Sequence, residues 1–213
     1  LSDTWLFGNV RGGVKVGNPL TTLTATNYLK NNAGQILIDP STGYPLENPN
    51  FEISGDRNPD FVLGFQNTFR YKNFTLSMLL DMRKGGDIYN ATEAWMYQNG
   101  ISTRTLDREK PRVVQGVLRD GLENTATPTQ NNIAVTPYLQ NEYYRSGSID
   151  ADFIEKDVNW LRMRDITLSY RMLSESLKKT FIKSMSFNVT MTDAFMITNY
   201  TGADPAVNGL NAS

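Results

Sequence analysis

The stretch FVLGFQNTFRY, residues 61–71, decides the fold, because apolar side chains occupy almost every second position in it. Alternation with a period of two is typical of a β-strand with one apolar face. Lys72 and Asn73 form a short polar break, after which residues 74–83 alternate in the same way. Two such runs joined by two residues predict a β-hairpin over residues 61–83.

The same alternation returns over residues 160–197. Ile166, Leu168, Tyr170 and Met172 alternate with polar residues, and the period returns from Met185 to Met191 before an apolar cluster at residues 195–197. Between these two runs, Ser174–Lys183 predicts a connector of one or two helical turns with Ser174 as its N-cap. This region therefore predicts a strand, a short connector and a second strand.

Long segments separate the predicted strands. Residues 17–60 and 84–159 are rich in glycine, proline and asparagine and are predicted to be loops, with a further strand near Trp5–Val16. Loops of this length are rare in compact domains and are usually functional. Short connections that alternate with long ones are typical of outer-membrane β-barrels, whose long loops lie outside the cell. On this interpretation both long loops are extracellular, and both short connections are periplasmic.

The composition excludes several kinds of function. The 213 residues carry a net charge of -1, so no overall field favours nucleic acid. The chain contains no cysteine and no histidine. It therefore has no disulfide framework, no Ser-His-Asp triad and none of the usual zinc or iron ligands.

Alternation alone does not separate two architectures. A soluble β-sandwich packs one face of each sheet and gives the same period as a membrane barrel. The length of the loops, strands of about 11 residues where the usual mean is about 5–6, and aromatic residues near the strand ends favour the barrel. The residue patterns leave the two nearly balanced.

Several short blocks of the sequence resemble one family in the same order. The blocks are GDRNPDF (55–61), GFQNTFRYKNF (64–74), GGDIYN (85–90), WLRMRDITLSY (160–170) and ITNYTGADP (197–205), with weaker matches at 34–39 and 43–45. Together they resemble the C-terminal region of the SusC/RagA family, TonB-dependent outer-membrane transporters of Bacteroidota. The resemblance covers about residues 34–205. It departs at Asp193-Ala194, where the family usually has Asn-Leu, and at Ala206, where it usually has an acidic residue.

The resemblance implies an all-β fold, an antiparallel transmembrane β-barrel segment. This segment would be the C-terminal portion of a barrel of about 22 strands, with long extracellular loops and short periplasmic turns. Residues 1–213 are then expected to be a fragment without the plug, the TonB box and the closing strand. Alternation would place one set of side chains toward lipid and the other toward the lumen. The lipid-facing set is Phe61, Leu63, Phe65, Phe69, Phe74, Leu76, Met78, Leu80, Ile166, Leu168, Phe187 and Val189; the lumen-facing set is Gln66, Thr68, Arg70, Ser77, Asp81, Thr167, Ser169, Asn188 and Thr190.

The function implied by the resemblance is TonB-dependent uptake of an oligosaccharide or oligopeptide, with a SusD-like surface lipoprotein as partner. The other implied partners are outer-membrane lipid and the TonB complex, reached through an N-terminal region outside this chain. The resemblance also allows a homodimer of SusCD units. No catalytic residue, cofactor or metal is predicted. Three alternatives stay open: a soluble carbohydrate-binding β-sandwich, a glycoside hydrolase fragment, and a SusC-like barrel that serves as a scaffold in an envelope complex.

Two groups of side chains are candidates for ligand or partner contacts. The aromatic residues of the second long loop lie among asparagine and glutamine and suit neutral ligands, although packing of the loop against other loops or a partner is the favoured interpretation. Arg162 and Arg164 lie near one end of their strand, where they could pair with neighbouring strands or contact a substrate. The aromatic candidates are Trp95, Tyr97, Tyr138, Tyr143 and Tyr144.

Overall fold

The computed structural model describes residues 3–7, 10–13, 16–139, 142–172 and 184–206. The strands are β1 (Asp3–Phe7), β2 (Val10–Gly13), β3 (Thr22–Ala25), β4 (Leu37–Ile38), β5 (Glu52–Asp56), β6 (Phe61–Tyr71), β7 (Phe74–Lys84), β8 (Ile88–Tyr89), β9 (Arg112–Val113), β10 (Val117–Leu118), β11 (Ala134–Val135), β12 (Ile154–Glu155), β13 (Trp160–Met172) and β14 (Met185–Thr198). The helices are α1 (Ala91–Gln98) and α2 (Tyr143–Ser146), with 3₁₀ turns at Thr103–Thr105, Pro137–Leu139 and Asp150–Phe153. None of the helices in the described residues is both long and apolar enough to cross a membrane.

The chain divides into two compact units. The sheet unit comprises residues 59–86 and 157–200, and the loop unit comprises residues 1–58, 87–156 and 201–213. The predicted connector at Ser174–Lys183 lies outside the described residues.

The sheet unit is one antiparallel sheet with the strand order β14-β13-β7-β6. The predicted hairpin is present as β6 and β7, paired without interruption from Phe61 opposite Lys84 to Tyr71 opposite Phe74. The tight turn between them puts Lys72 at a φ of 50°, in the left-handed region. Alternation predicts this pair well because side chains of a strand must point to opposite faces in turn.

The sheet has one irregularity, and it changes the alternation. Met163 pairs with Leu80 and Phe195, and Asp165 pairs with Leu79 and Thr192. Between these two rows β7 therefore has no extra residue, β13 has one (Arg164), and β14 has two (Asp193 and Ala194). Asp193 has a φ of 48°. Such β-bulges bend a strand and re-aim its side chains.

The loop unit contains far more regular structure than a loop prediction implies. Strands β1, β2, β3 and β5 form a four-stranded sheet, and three two-stranded pairs follow: β10-β4, β11-β9 and β12-β8. In place of the single strand predicted near Trp5–Val16, β1 and β2 pair antiparallel, with Phe7 opposite Val10. The prediction missed these elements because each is only two to five residues long, too short for a period to be visible.

A hydrophobic core explains why the loop unit is ordered. It gathers buried side chains from segments far apart in the chain: Val10, Leu23, Ala25, Tyr89, Ala94, Phe153 and Ile154. Helix α1 joins this core through Ala94 and is capped at both ends. The Asn90 side chain accepts a hydrogen bond from the Glu93 N–H at 3.0 Å, and the Asn99 side chain donates to the Trp95 carbonyl at 2.7 Å.

Candidate functional site

The two faces of the four-stranded sheet differ sharply in chemistry. One row of directly paired residues is Phe69, Leu76, Leu168 and Val189, and the next row is Thr68, Ser77, Thr167 and Thr190. Because successive residues of a strand point to opposite faces, the first row lies on one face and the second row on the other. The apolar and polar sets expected from alternation therefore lie on opposite faces of one continuous sheet.

The apolar face is open over most of its width. Phe69 is 52% exposed and Val189 is 72% exposed, and the same face carries several further exposed side chains. An exposed apolar surface of this extent is unusual for a protein surface in water and marks contact with another molecule or a membrane. The further exposed apolar residues of this face are Phe61, Leu63, Phe65, Phe74, Met82, Leu168, Phe187, Met191, Phe195 and Ile197.

The polar face is linked by side-chain hydrogen bonds across the strands. The Thr68 and Ser77 hydroxyls lie 3.3 Å apart, and the Thr167 and Thr190 hydroxyls lie 3.0 Å apart. Cross-strand pairs of this kind each contribute modestly to sheet stability, roughly 0.2–1 kcal/mol.

The two candidate arginines both pair with neighbouring strands. Arg164, the bulge residue, donates to Asp81 Oδ2 from Nε at 3.1 Å and from Nη2 at 2.8 Å. Arg162 is buried, and its Nε lies 3.5 Å from Asp193 Oδ1. The sequence allowed either pairing or substrate contact, and the structure gives a pairing partner to each arginine. Their contact with a substrate stays a prediction.

A third arginine, Arg83, lies at the same end of the sheet unit as Arg162. Arg83 donates from Nε to the Gly85 carbonyl at 3.1 Å, and its guanidinium lies 4.9 Å from the Trp160 ring centroid. Lys84 Nζ lies 3.0 Å from Asp157, and this hydrogen bond lowers the pKa of the exposed Asp157 carboxyl. Gly85 has a φ of 81°, and a Cβ there would meet the Asp60 carboxylate. The glycine is therefore needed for this turn.

The five candidate aromatic residues of the loop unit fall into two classes. Tyr97, Tyr143 and Tyr144 join one cluster: Tyr144 has its ring centroid 5.1 Å from Tyr97 and 5.2 Å from Tyr143. Burial raises the pKa of Tyr97 and of Tyr143. Trp95 and Tyr138, by contrast, are 60% and 66% exposed. Three of the candidates therefore pack inside the unit, and two present their rings to the surface.

Cations cover the aromatic cluster. The Arg104 guanidinium lies 4.9 Å from the Tyr97 ring centroid and 5.2 Å from that of Phe153, and the Arg112 guanidinium lies 5.7 Å from that of Tyr143. Cation–π contacts of this kind stabilise a cluster by roughly 0.5–1 kcal/mol each at exposed sites. The aromatic rings therefore pack against one another and against the guanidinium groups of Arg104 and Arg112.

A cavity of about 390 Å³ adjoins this cluster, with Asn90, Glu155 and Thr201 in its wall. The Asn90 amide donates to Glu155 Oε1 at 2.7 Å, and the Thr201 N–H donates to Glu155 Oε2 at 2.9 Å. These bonds tie together segments more than 40 residues apart. The remaining wall residues are Glu93, Thr103, Arg104, Asp152 and Phe153.

The carboxylates of this wall already have neutral donors. The Ser102 hydroxyl donates to Glu93, and the Tyr28 hydroxyl donates to Asp152. Burial, and then the hydrogen bond to Asp152, raise the pKa of Tyr28. Within the described residues there is no group of three acidic side chains placed to hold a metal ion. The arrangement is suited to holding loops together, and it gives no basis for assigning a reaction.

The comparisons with known proteins point to one class. No family model matches the chain. TonB-dependent receptor P3 of Formosa agariphila is 26% identical over 178 residues, which are 84% of this chain and 16% of the relative. TonB-dependent receptor P39 of the same organism is 26% identical over 157 residues, 72% of this chain and 14% of the relative. The chain thus spans about one sixth of the length of these relatives.

A solved structure supports the same class at the level of fold. A chain of the RagAB peptide importer in its closed-closed state superposes with a TM-score of 0.51 over 89% of this chain and 22% of that chain, at 14% sequence identity. The curated relatives are receptors, and the predicted outer-membrane location is confirmed. The predicted resemblance is likewise confirmed: over most of its length this chain is similar to TonB-dependent outer-membrane receptors of the SusC/RagA type.

Proposed function

We propose that this chain forms part of the wall and mouth of a TonB-dependent outer-membrane importer. Strands β6, β7, β13 and β14 would span the membrane, with the apolar face toward lipid and the polar face toward the lumen. The observation that carries this proposal is the set of exposed apolar side chains that extends across one face of the sheet, from Phe61 on β6 to Ile197 on β14. A soluble β-sandwich would bury that face against a second sheet.

Strand length agrees with a membrane span. Strands β6 and β7 each have 11 residues. At about 3.3 Å per residue and about 45° of tilt, such a strand crosses about 25 Å, the height of the apolar band of outer-membrane barrels. Strands β6 and β14 each have one neighbour in the described sheet. In the proposed barrel of about 22 strands each would pair with one further strand, because a closed barrel leaves no free edge.

The connections set the orientation of the proposed barrel. The two-residue turn at Lys72–Asn73 would be periplasmic, and the loop unit, built largely from residues 17–60 and 84–159, would be extracellular. Short periplasmic turns and long outer loops are usual in such barrels. On this orientation the paired arginines Arg162 and Arg164 lie toward the outer end of β13.

The partner and cargo follow by analogy. The solved neighbour is described as a peptide importer, and the SusC/RagA resemblance implies a SusD-like lipoprotein above the barrel mouth. We extend both to this protein: the loop unit would contact such a lipoprotein, and the cargo would be an oligopeptide or an oligosaccharide. We propose the exposed rings of Trp95 and Tyr138 for such contacts, because both lie outside the aromatic cluster.

The test compares two adjacent residues on each of two strands, β7 and β13. Spin labels would be placed at Leu168 and Thr167, and at Leu76 and Thr75, in the full-length protein reconstituted in bilayers. We expect lipid-soluble oxygen to relax the labels at Leu76 and Leu168 more than those at Thr75 and Thr167. Equal accessibility within both pairs would refute the proposed orientation.

A further inference from the structure

A groove lined by side-chain amides lies in the loop unit, apart from the aromatic cluster. It consists of two neighbouring cavities of about 730 and 530 Å³ that share Gln35 and Gln130 in their walls. The first is lined by Gly34, Gln35, Ile36, Val113, Gln115, Gly116, Gln130 and Asn131, and the second by Asn31, Asn32, Ala33, Gln35, Glu123, Asn124, Thr125, Ala126, Pro128 and Gln130. This pair of cavities is called the amide groove below.

The lining has an unusual chemical bias. Seven of its residues are asparagine or glutamine, one is acidic, and none is basic or aromatic. A side-chain amide carries both a donor group and an acceptor oxygen, so it can pair with another amide through two hydrogen bonds. The groove offers no cation for a phosphate or carboxylate, and no aromatic ring on which a sugar could stack.

Part of the amide set builds the groove itself. The Asn31 amide nitrogen donates to Gln35 Oε1 at 3.0 Å and to the Glu123 carbonyl at 2.8 Å, and its oxygen accepts from the N–H groups of Ala33 and Gln35. Asn131 in turn donates to the Val114 carbonyl at 2.8 Å. The Asn31 side chain is fully occupied, and the bonds of both residues hold the loops in place.

The other part of the set has hydrogen-bonding capacity left over. Within the described residues, the Gln115 side chain makes no hydrogen bond, and the Gln35 side chain uses only its oxygen. Gln130 has a single long contact, from its nitrogen to the Pro128 carbonyl at 3.5 Å. Donors and acceptors on Gln35, Gln115 and Gln130 are therefore available to a ligand in the groove.

The floor of the groove is preformed by main chain. The Val117 N–H donates to the Ile36 carbonyl at 2.9 Å, and the Asn131 N–H donates to the Gly116 carbonyl at 2.9 Å. A Cβ at Gly116 would lie 2.5 Å from the Ile36 carbonyl oxygen, so only glycine permits this approach. A preformed floor lowers the conformational entropy that is lost when a ligand binds.

We propose that the amide groove binds a short, uncharged peptide in an extended conformation, through hydrogen bonds from Gln35, Gln115 and Gln130 to the peptide backbone. Backbone amides present the same donor and acceptor pattern as the glutamine side chains. Ile36 and Val113 add a small apolar surface for peptide side chains. This inference rests on the proposed function, because it names the cargo class that the extracellular loops of the importer would take.

The experiment uses the full-length protein in detergent and saturation-transfer NMR of two probes. The first is an acetylated and amidated pentapeptide of glycine, serine and alanine, and the second is maltopentaose. The test variant is Gln115→Leu with Gln130→Leu, both exposed positions where a substitution leaves the core intact. The control is Gln98→Leu, an amide at the end of α1 outside the groove.

We expect the pentapeptide to bind and the double variant to weaken its binding at least tenfold, with Gln98→Leu unchanged. Maltopentaose binding that the double variant abolishes, without peptide binding, would overturn the choice of peptide. Absence of binding by either probe, in a protein whose spin labels show the expected lipid and lumen faces, would overturn the groove site alone. Peptide binding combined with equal label accessibilities would instead support the groove and refute the importer wall.

Discussion

The two units of this chain obtain their order in opposite ways. The sheet unit has long paired strands, yet about half of its large apolar side chains are exposed. The loop unit has mostly strands of two to five residues, yet it contains a buried core drawn from Val10 to Ile154. Regular backbone pairing and side-chain burial are therefore separable sources of stability. On the proposed function the exposed apolar face of the sheet is covered by lipid, whereas the loop unit buries its apolar side chains in its own core.

The largest expected effect on this contrast comes from truncation of one phenylalanine side chain in each unit. Phe153 is 2% exposed in the core of the loop unit, and Phe187 is 55% exposed on the apolar face of the sheet. We expect Phe153→Ala to cost about 3–5 kcal/mol, because it leaves a cavity. Phe187→Ala is expected to change stability far less. Urea unfolding of the full-length protein in detergent measures both, and equal losses would contradict the contrast.

An arginine introduced on each face of the sheet tests whether the apolar face lies against lipid. Met191 lies on that face opposite Ile166, and Thr192 follows it on the polar face opposite Asp165. Met191→Arg is expected to cost about 2–4 kcal/mol in a bilayer, as a lipid-facing arginine does near the midplane. Thr192→Arg should be nearly neutral, because its charge can meet Asp165. Folding yield into lipid vesicles measures the difference, and an equal penalty at both positions would refute the assigned faces.

A buried hydroxyl tests the polar interior of the loop unit. Tyr89 donates to Asp150 Oδ1 at 2.6 Å, and both residues are buried. Tyr89→Phe would leave the carboxylate without this donor, at a cost of about 1–3 kcal/mol. Tyr71→Phe, on the exposed end of β6, is the control. Limited proteolysis of the loop unit at increasing temperature should give a lower unfolding midpoint for Tyr89→Phe than for Tyr71→Phe. The same midpoint for both variants would contradict this role.

The same hydroxyl predicts a pH dependence. Burial, then the bond to Asp150, raises the pKa of Tyr89 above its ordinary value of 10.0. The protonated form is thus favoured in the folded state, so its contribution is complete below pH 10 and is lost as pH rises above 10 toward the folded-state pKa. Stability of the loop unit should fall in that alkaline range, and the fall should be smaller in Tyr89→Phe. A fall of the same steepness in both proteins would assign it to other tyrosines.

The smallest expected effect concerns the bulge arginine. Arg164 and Asp81 form a partly exposed pair, and such pairs usually contribute less than about 1 kcal/mol. A double-mutant cycle with Arg164→Gln and Asp81→Asn should therefore give a coupling energy below about 1 kcal/mol. A coupling of several kcal/mol would instead indicate that the polar face is dry where these residues lie.

Sequence reasoning found the sheet because its signal is local. The pattern of residues 61–83 places β6 and β7 within a residue of their observed ends. The bulge was missed, although it left a trace: after Trp160, apolar side chains lie at odd numbers at Leu161 and Met163 and at even numbers from Ile166. That change of phase within one strand is the signal of an inserted residue.

The loop unit could not be predicted in the same way. Its contacts join positions such as Tyr89 and Asp150, 61 residues apart, and no periodicity encodes them. The aromatic candidates were identified by type alone, and type does not separate the packed Tyr143 from the exposed Trp95. The glutamines of the amide groove resemble ordinary loop residues until the β4-β10 pair brings residues 35 and 115–117 together.

The bulge also sets a rule of parity for changes in chain length. One extra residue on β13 is an odd number, so deletion of Arg164 alone would make Met163 and Asp165 adjacent, restore regular alternation and keep Met163 and Ile166 on the faces they now occupy. Two extra residues on β14 are an even number, so joint loss of Asp193 and Ala194 would also preserve both faces, whereas loss of either one would leave a single extra residue that keeps the faces only in a bulge, as on β13. Relatives that lack all three extra residues are therefore expected to keep the same two faces and to have no bulge at this level of the sheet.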